Sequence, residues 1–384
     1  MTASASASPR DRTREDVFRL IRSGGSVTRA QLVKLTGLPR STVNHAVTRL
    51  LAEGRVTEAE AEAKGPGSGS GRPAAVLRAV TREAPVAGID FGHNHINVAL
   101  ADSLGHPLAE RRMELDVDLR ATEAIDLAVQ LLDELRSSQG VDDLAAVVAG
   151  VPGPLDIDTG LVRSPTILSS WVGLAPRQEL ERRLDVPVRA ENDAVLGAYG
   201  ERHLGAGRRH TDFLYIKASH GIGAGLVVGG QPYRGSLGLA GEIGHTPLPG
   251  HTEMCRCGNR GCLETVVSVT SLEAQIAHTH PNAEPGLLRL GQADDHITQR
   301  IFDEAGRTLG GMLAVLCNLL NPTALIIGGE LGASGDAFIE GITTAVHRHA
   351  QPAIAACLDI VPAVLGTRAE LLGALQLATT LVPR

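Results

Sequence analysis

Aromatic residues are nearly absent from this 384-residue chain, which has five Phe, three Tyr and one Trp, 2% of the total. Large rings therefore cannot build the interior, and with 43% hydrophobic residues the cores must rest on Val, Leu, Ile and Ala. Cysteine is scarce too. There are five, an odd count, and three crowd together at Cys255, Cys257 and Cys262, which speaks for a metal rather than a disulfide framework. No apolar run is long enough to span a bilayer and no secretory leader pattern opens the chain, so a cytoplasmic protein without membrane attachment is expected. Residues 1–12 are mostly small and polar and read as a disordered tail.

Acidic residues outnumber basic ones, 43 to 36, yet the excess is unevenly placed. Residues 1–80 hold 13 Lys/Arg against 7 Asp/Glu, whereas the other 304 hold 23 against 36. A basic head on an acidic body points to a head that meets a polyanion and a body that does not. The length itself calls for two or three domains.

Apolar spacing in the head predicts three short helices. Over residues 13–23, Val17, Leu20 and Ile21 share a face, with Thr13 as N-cap and Gly24-Gly25 as the stop. Thr28 caps the second, where Ala30, Leu32, Val33 and Leu35 are apolar, and Gly37 ends it. The third runs from Ser41 to about Glu53, with Val43, Ala46, Val47, Leu50 and Leu51 inward. This is the layout of a helix-turn-helix unit. Its outward face carries Ser41, Thr42, Asn44, His45, Thr48 and Arg49, with Arg40 just before the helix. Such groups reach base edges and phosphates, whereas a merely solvated face would carry more Glu and Lys. Strand-like stretches at 55–57 and 75–77 then flank a Gly-rich tip at 65–73. They read as a wing whose Arg72 enters a narrow minor groove. A flexible linker is the alternative reading.

Near residue 85 the composition changes. Residues 86–92 form an apolar strand ending in Asp90 and Gly92, with 96–100 as its hairpin partner. Further strands are expected at 144–150, 186–189, 213–218, 225–228 and 324–329, and helices at 191–204, 308–320 and 368–380. Strands alternating with helices make an α/β body. Cys317 and Cys357, in apolar helical surroundings, are expected in the core. No internal repeat of about 20–50 residues is visible.

The most specific motif is Gly241-Glu242-Ile243-Gly244-His245, followed by Cys255-Arg256-Cys257 and then Gly261-Cys262-Leu263-Glu264. One imidazole and three thiolates make the set that holds structural zinc, and four protein ligands leave no open position for a catalytic water. Gly258 and Gly261 let the loop turn tightly enough to converge on one ion. The ion would then aim Glu242 and Glu264 at whatever lies between them.

These motifs together resemble the signature of the ROK family, which holds bacterial sugar-sensing repressors and sugar kinases. Val151-Pro152-Gly153-Pro154-Leu155, Glu191-Asn192-Asp193, Gly200-Glu201, and Asn321-Pro322 before Gly328-Gly329 extend the likeness over nearly the whole chain. The resemblance implies a winged helix-turn-helix (13–80) followed by a two-lobed actin-like, hexokinase or ribonuclease H-like ATPase fold of sugar-kinase type. A small lobe (84–200), completed by a C-terminal helix (366–384), would precede a large lobe (201–365) carrying the zinc loop. It further implies that Asn192, Asp193, Glu242, His245 and Glu264 bind sugar hydroxyls. In the family's kinases the residue matching Asp193 is the general base. The residue chemistry agrees, since carboxylates and an amide each hold vicinal hydroxyls. A helix N-cap is the competing role for Asn192-Asp193, and the two are compatible.

The departures lie at the phosphate loops. Where the kinases resemble Asp-x-Gly-Gly-Thr, this chain has Asp90-Phe91-Gly92-His93-Asn94-His95, and where they resemble Gly-Thr-Gly-Ile-Gly it has Ser219-His220-Gly221-Ile222-Gly223. Phosphoryl transfer rests on positioning and charge stabilisation at the phosphates, so two altered loops argue against ATP as a cofactor; histidine can also contact phosphate, and a modified nucleotide site or a phosphosugar site is the alternative there. The sequence therefore reads as a repressor, without kinase activity, whose partners are operator DNA, a small carbohydrate and a second copy of itself, as a homodimer or a dimer of dimers. The rival is an ATP-dependent hexose kinase with a DNA-binding head. A third reading makes the body a protein-binding module.

Overall fold

The structure, a computed structural model, describes residues 13–14, 16–18, 20–21, 27–53, 55–59, 75–79, 84–156, 159–163, 168–281 and 295–382. The expected tail at 1–12, the Gly24-Gly25 stop, the Gly-rich tip and Arg72 lie outside them. The chain divides into two units, residues 1–84 and 85–384.

In the first unit Thr28 is extended and its hydroxyl accepts the Gln31 N–H, while the Gln31 side chain accepts the Thr28 N–H. This reciprocal box starts the helix Arg29–Thr36, and Gly37, at φ 66°, ends it in the left-handed conformation. The next helix, Arg40–Ala52, begins one residue earlier than its sequence suggested, so Arg40 lies in its first turn rather than before it. Thr13 is itself helical, not a cap. Val17, Phe18 and Ile21 from the first helical segment meet Leu32, Val43, Val47 and Leu50 in one core. Three strands close it: β1 (Val27–Thr28), β2 (Val56–Ala59) and β3 (Val76–Ala79), in the antiparallel order β1-β3-β2.

The second unit is built on two five-stranded sheets. The first comprises β4 (Val86–Phe91), β5 (His95–Ala101), β6 (Pro107–Glu114), β7 (Ala146–Val151) and β8 (Val188–Asn192), ordered β6-β5-β4-β7-β8. The second comprises β9 (Phe213–Ala218), β10 (Ile222–Val228), β11 (Gln231–Tyr233), β12 (Ala324–Gly328) and β13 (Asp359–Pro362), ordered β11-β10-β9-β12-β13. In each, the first three strands pair antiparallel and the last two add parallel. The same architecture thus occurs twice without a repeat in the sequence. β8 starts two residues later than expected and runs on to Asn192, and β10 begins at Ile222.

Two helices join the sheets. Asp193–Leu204 follows β8 directly, and Ala369–Ala378 returns to pack Leu371, Leu372 and Leu375 with Val86, Ala99 and Val148 of the first sheet. They cross closely because Gly200 and Gly373 lack side chains. A Cβ on Gly373 would stand 1.9 Å from the Leu196 carbonyl oxygen, and one on Gly200 would stand 2.5 Å from that of Ala369. The helix His296–Leu320 runs back well beyond the expected 308 and covers the second sheet with Phe302, Leu309, Leu313 and Cys317. Burying each of these Leu or Phe side chains contributes about 1.5–3 kcal/mol. Cys357 departs from expectation: it is exposed, because it follows the short helix Pro352–Ala355 in a turn rather than facing a core.

Candidate functional site

The site begins where β8 gives way to a helix. Asn192 accepts the Val195 N–H at 3.2 Å, capping the helix, and donates to the Gly153 carbonyl at 3.3 Å. Asp193 follows at the first helical position. Its Oδ1 accepts its neighbour's N–H (Ala194) at 2.7 Å, and its Oδ2 accepts from Lys217 Nζ at 2.6 Å. Lys217 extends from β9 and is largely buried. Burial alone would lower its pKa, but Asp193, Glu370 and Asp90 together outweigh that and hold it well above the ordinary lysine range. Behind it Tyr215 donates to Glu370 at 2.8 Å.

Asn192, Asp193, Glu242, His245 and Glu264 line one cavity, together with His93, Gly153, Lys217 and Gly221. Glu264 accepts the Ile222 N–H at 3.3 Å. The Glu242 carboxyl is pushed up to about 7, by burial first and then by the nearby Asp193 and Glu264. Convergent carboxylates and an amide around a concave space suit the vicinal hydroxyls of a polyol.

The residues at the altered phosphate loops are occupied with one another. Asp90 is buried. It accepts from Asn97 at 3.1 Å, and its Oδ2 lies 3.3 Å from His95 Nε2, while its Oδ1 has no partner among the described residues. Asn94 Nδ2 stands 3.0 Å from His220 Nε2, bridging the loop after β4 and the loop before β10. A Cβ on Gly92 would strike the His95 ring at 2.2 Å, and one on Gly223 would sit 3.3 Å from Ala194. The sequence grouped His93 with these loops. In the structure it also lines the cavity around Asp193.

His245 and the three cysteines come together. Their ligand atoms lie within 4.8 Å of one another, with Cys257 and Cys262 sulfurs 3.7 Å apart and the Cys255 sulfur 3.6 Å from His245 Nδ1. A tetrahedral site with metal–sulfur bonds of about 2.3 Å has edges of about 3.8 Å, so these four residues fit a metal ion. Gly261, at φ 68°, is obligatory here, since a Cβ would meet the His251 carbonyl oxygen at 2.3 Å. With Nδ1 on the metal side, His245 Nε2 lies 3.8 Å from Glu242. The loop and the cavity thus share one imidazole.

In the first unit the helix Arg40–Ala52 buries Val43, Ala46, Val47 and Leu50 and leaves Arg40, Ser41, Asn44, His45, Thr48 and Arg49 exposed, with Thr42 half-buried. Arg29 pairs with Glu58, joining the preceding helix to β2.

A family model described as the ROK family matches residues 86–381, and one described as winged helix-turn-helix DNA-binding matches residues 10–57. The chain belongs to the ROK family. It is 29% identical over 362 residues to the xylose repressor of Bacillus subtilis (strain 168), covering 93% of this chain and 92% of that one. A glucokinase of Halalkalibacterium halodurans is also 29% identical, over 307 residues that make up 74% of this chain and 92% of the kinase. Among solved structures, a ROK family transcriptional regulator described as a homologue of E. coli MLC superposes with a TM-score of 0.74 at 22% identity, covering 97% of this chain and 96% of that one. The fold is therefore that of ROK proteins, with a winged helix-turn-helix ahead of it.

Lys217, Asp118 and Arg256 were not singled out in the sequence. A lone lysine inside the apolar strand Phe213–Ala218 was a readable signal, because a buried ammonium requires a carboxylate. Nothing local pointed to Asp118, which reaches the site only through tertiary contact.

Proposed function

We propose that this ROK protein is a transcriptional repressor, acting in the cytoplasm as a homodimer, that binds operator DNA through the helix Arg40–Ala52 and a sugar in the cavity around Asp193. One observation carries the reading: a helix whose exposed face is Asn44, His45, Thr48 and Arg49 shares its chain with a cavity lined by carboxylates and an amide, in a match that covers 92% of a xylose repressor. Base-edge contacts by Asn44 and Arg49 specify sequence, while Arg40, Ser41 and Thr42 position the helix on phosphates. Arg72 is proposed to add a minor-groove contact.

In the cavity, Asn192, Asp193, Glu242, His245 and Glu264 bind the sugar hydroxyls. Zinc is the proposed ion at His245, Cys255, Cys257 and Cys262, where it supplies a fixed turn that orients the His245 ring. Binding without phosphoryl transfer is favoured by two features. Both oxygens of Asp193 already accept a hydrogen bond, from the Ala194 N–H and from Lys217, and His93, Asn94 and His220 fill loops that would otherwise cradle phosphates. Kinase activity is the second reading, supported by the presence of Asp193 and by the glucokinase relative.

The test is calorimetric titration of the zinc-loaded protein with ATP and with D-xylose, D-glucose and N-acetyl-D-glucosamine, alongside operator binding. Saturable sugar binding without ATP binding is expected. Asn44→Ala should weaken operator DNA by roughly 1–3 kcal/mol and leave sugar affinity unchanged. Sugar-dependent release of ADP, abolished by Asp193→Asn, would replace the repressor reading of the body with the kinase.

A further inference from the structure

His93 forms part of two cavities. It lines the polyol cavity with Asp193, Glu242 and Glu264, and it also lines a neighbouring cleft of about 540 Å³ with Asn94, Arg120, His220 and Thr270. The side chain therefore walls off one from the other. Its ring cannot swing freely. Nδ1 lies 2.7 Å from Asp118 Oδ1, Asp118 is buried, and Arg256 of the cysteine loop holds the other Asp118 oxygen. The His93 carbonyl oxygen also accepts the Val117 N–H at 3.0 Å. The opposite nitrogen, Nε2, has no protein partner among the described residues. It passes over Gly221, where a Cβ would stand 2.9 Å from it.

Resting on the sugar-site reading above, we propose that His93 is a direct ligand of the sugar and that the cavity selects an unphosphorylated one. Position and charge both point this way. A carboxylate only accepts, so a proton sits at His93 Nδ1 and Nε2 is left facing the cavity, where a sugar hydroxyl can either donate or accept. The charges of the lining oppose an anion. Asp193 and Glu264 are acidic, and the ammonium of Lys217 is already engaged by Asp193. The arrangement suits hydroxyls and disfavours a phosphate dianion.

The experiment is calorimetry on the full-length, zinc-loaded protein with D-xylose, D-glucose and N-acetyl-D-glucosamine, and with the 6-phosphates of the last two. Operator binding and thermal unfolding serve as controls. The expected result is that a free sugar binds, that its 6-phosphate binds far more weakly, and that His93→Ala weakens the free sugar by about tenfold or more at unchanged operator affinity. His93→Gln, which restores a hydrogen-bonding group at similar reach, should recover much of that loss and guards against a variant that fails to fold. Wild-type sugar affinity in His93→Ala, or tighter binding of a 6-phosphate, overturns this proposal and leaves the sugar site standing. If operator DNA binds but none of the sugars or phosphates does, the sugar site falls and this proposal with it.

Discussion

Lys217 is the residue on which the site turns. It is one buried cation facing Asp90, Asp193 and Glu370, which come from β4, from the helix after β8 and from the C-terminal helix. Removing it strands the Asp193 and Asp90 carboxylates in a low-dielectric interior and leaves Glu370 without its opposing cation. Lys217→Met should therefore lower unfolding free energy in urea by about 3–5 kcal/mol. Adding Asp193→Asn should recover part of the loss, whereas purely additive losses would mean the two are not coupled. Glu370 provides a pH test. Burial pushes its carboxyl up to about 7, against an ordinary 4.5, with Lys217 opposing and Asp90 adding to the shift. Below pH 4.5 the group is protonated folded or unfolded, and as pH rises toward 7 only the unfolded chain releases its proton. The folded state thus loses stability across that window. Glu370→Gln should gain on the wild type as pH rises through it and hold a constant difference above it. A difference that does not vary with pH would show that Glu370 is ionised normally.

At the scale of elements, the site depends on how two helices cross. Asp193–Leu204 places Asn192 and Asp193 at its start, and Ala369–Ala378 rests on it through paired glycines. Gly373→Ala would drive a methyl into the Leu196 carbonyl, and neither backbone has a side chain to move aside. A loss of about 1–3 kcal/mol or more is expected by denaturant unfolding. Sugar affinity should fall with it, because the same helix presents Asp193. Unaltered stability would mean that the crossing opens more easily than this packing indicates. Gly200 was visible in the sequence as part of a motif, but its purpose was not, since the chain that crowds it lies far along the sequence.

At the scale of the whole molecule, the cysteine loop and the helix Arg40–Ala52 belong to units with separate cores. On the proposed zinc and sugar readings, a chelator or Cys262→Ser should free His245 and weaken sugar binding, while Cys262→Ser should also weaken zinc. Operator affinity measured without sugar should be unchanged. Parallel loss of both would show that the ion supports the entire fold. Coupling between the ligands must also be reciprocal, so a sugar that weakens operator binding is itself bound more weakly by the DNA-bound protein, by the same factor.

Local chemistry was legible without the fold. Thr28 and Gly37 bracket a helix because a hydroxyl can cap an N-terminus and glycine tolerates positive φ, so that element was evident from its ends. The one imidazole and three thiolates announced a candidate metal site, and the fold brings the four together. Asn192 was legible too as the cap of the helix that follows it. Other features were settled only by tertiary structure. The repeated sheet order leaves no trace in the residues, because burial asks of a strand only that it be apolar and the same topology admits many sequences. The pairing of Lys217 with Asp193, and of His93 with Asp118 and Arg256, joins residues from distant segments. Long-range electrostatic partners are chosen by where the chain returns, and no local pattern encodes that return.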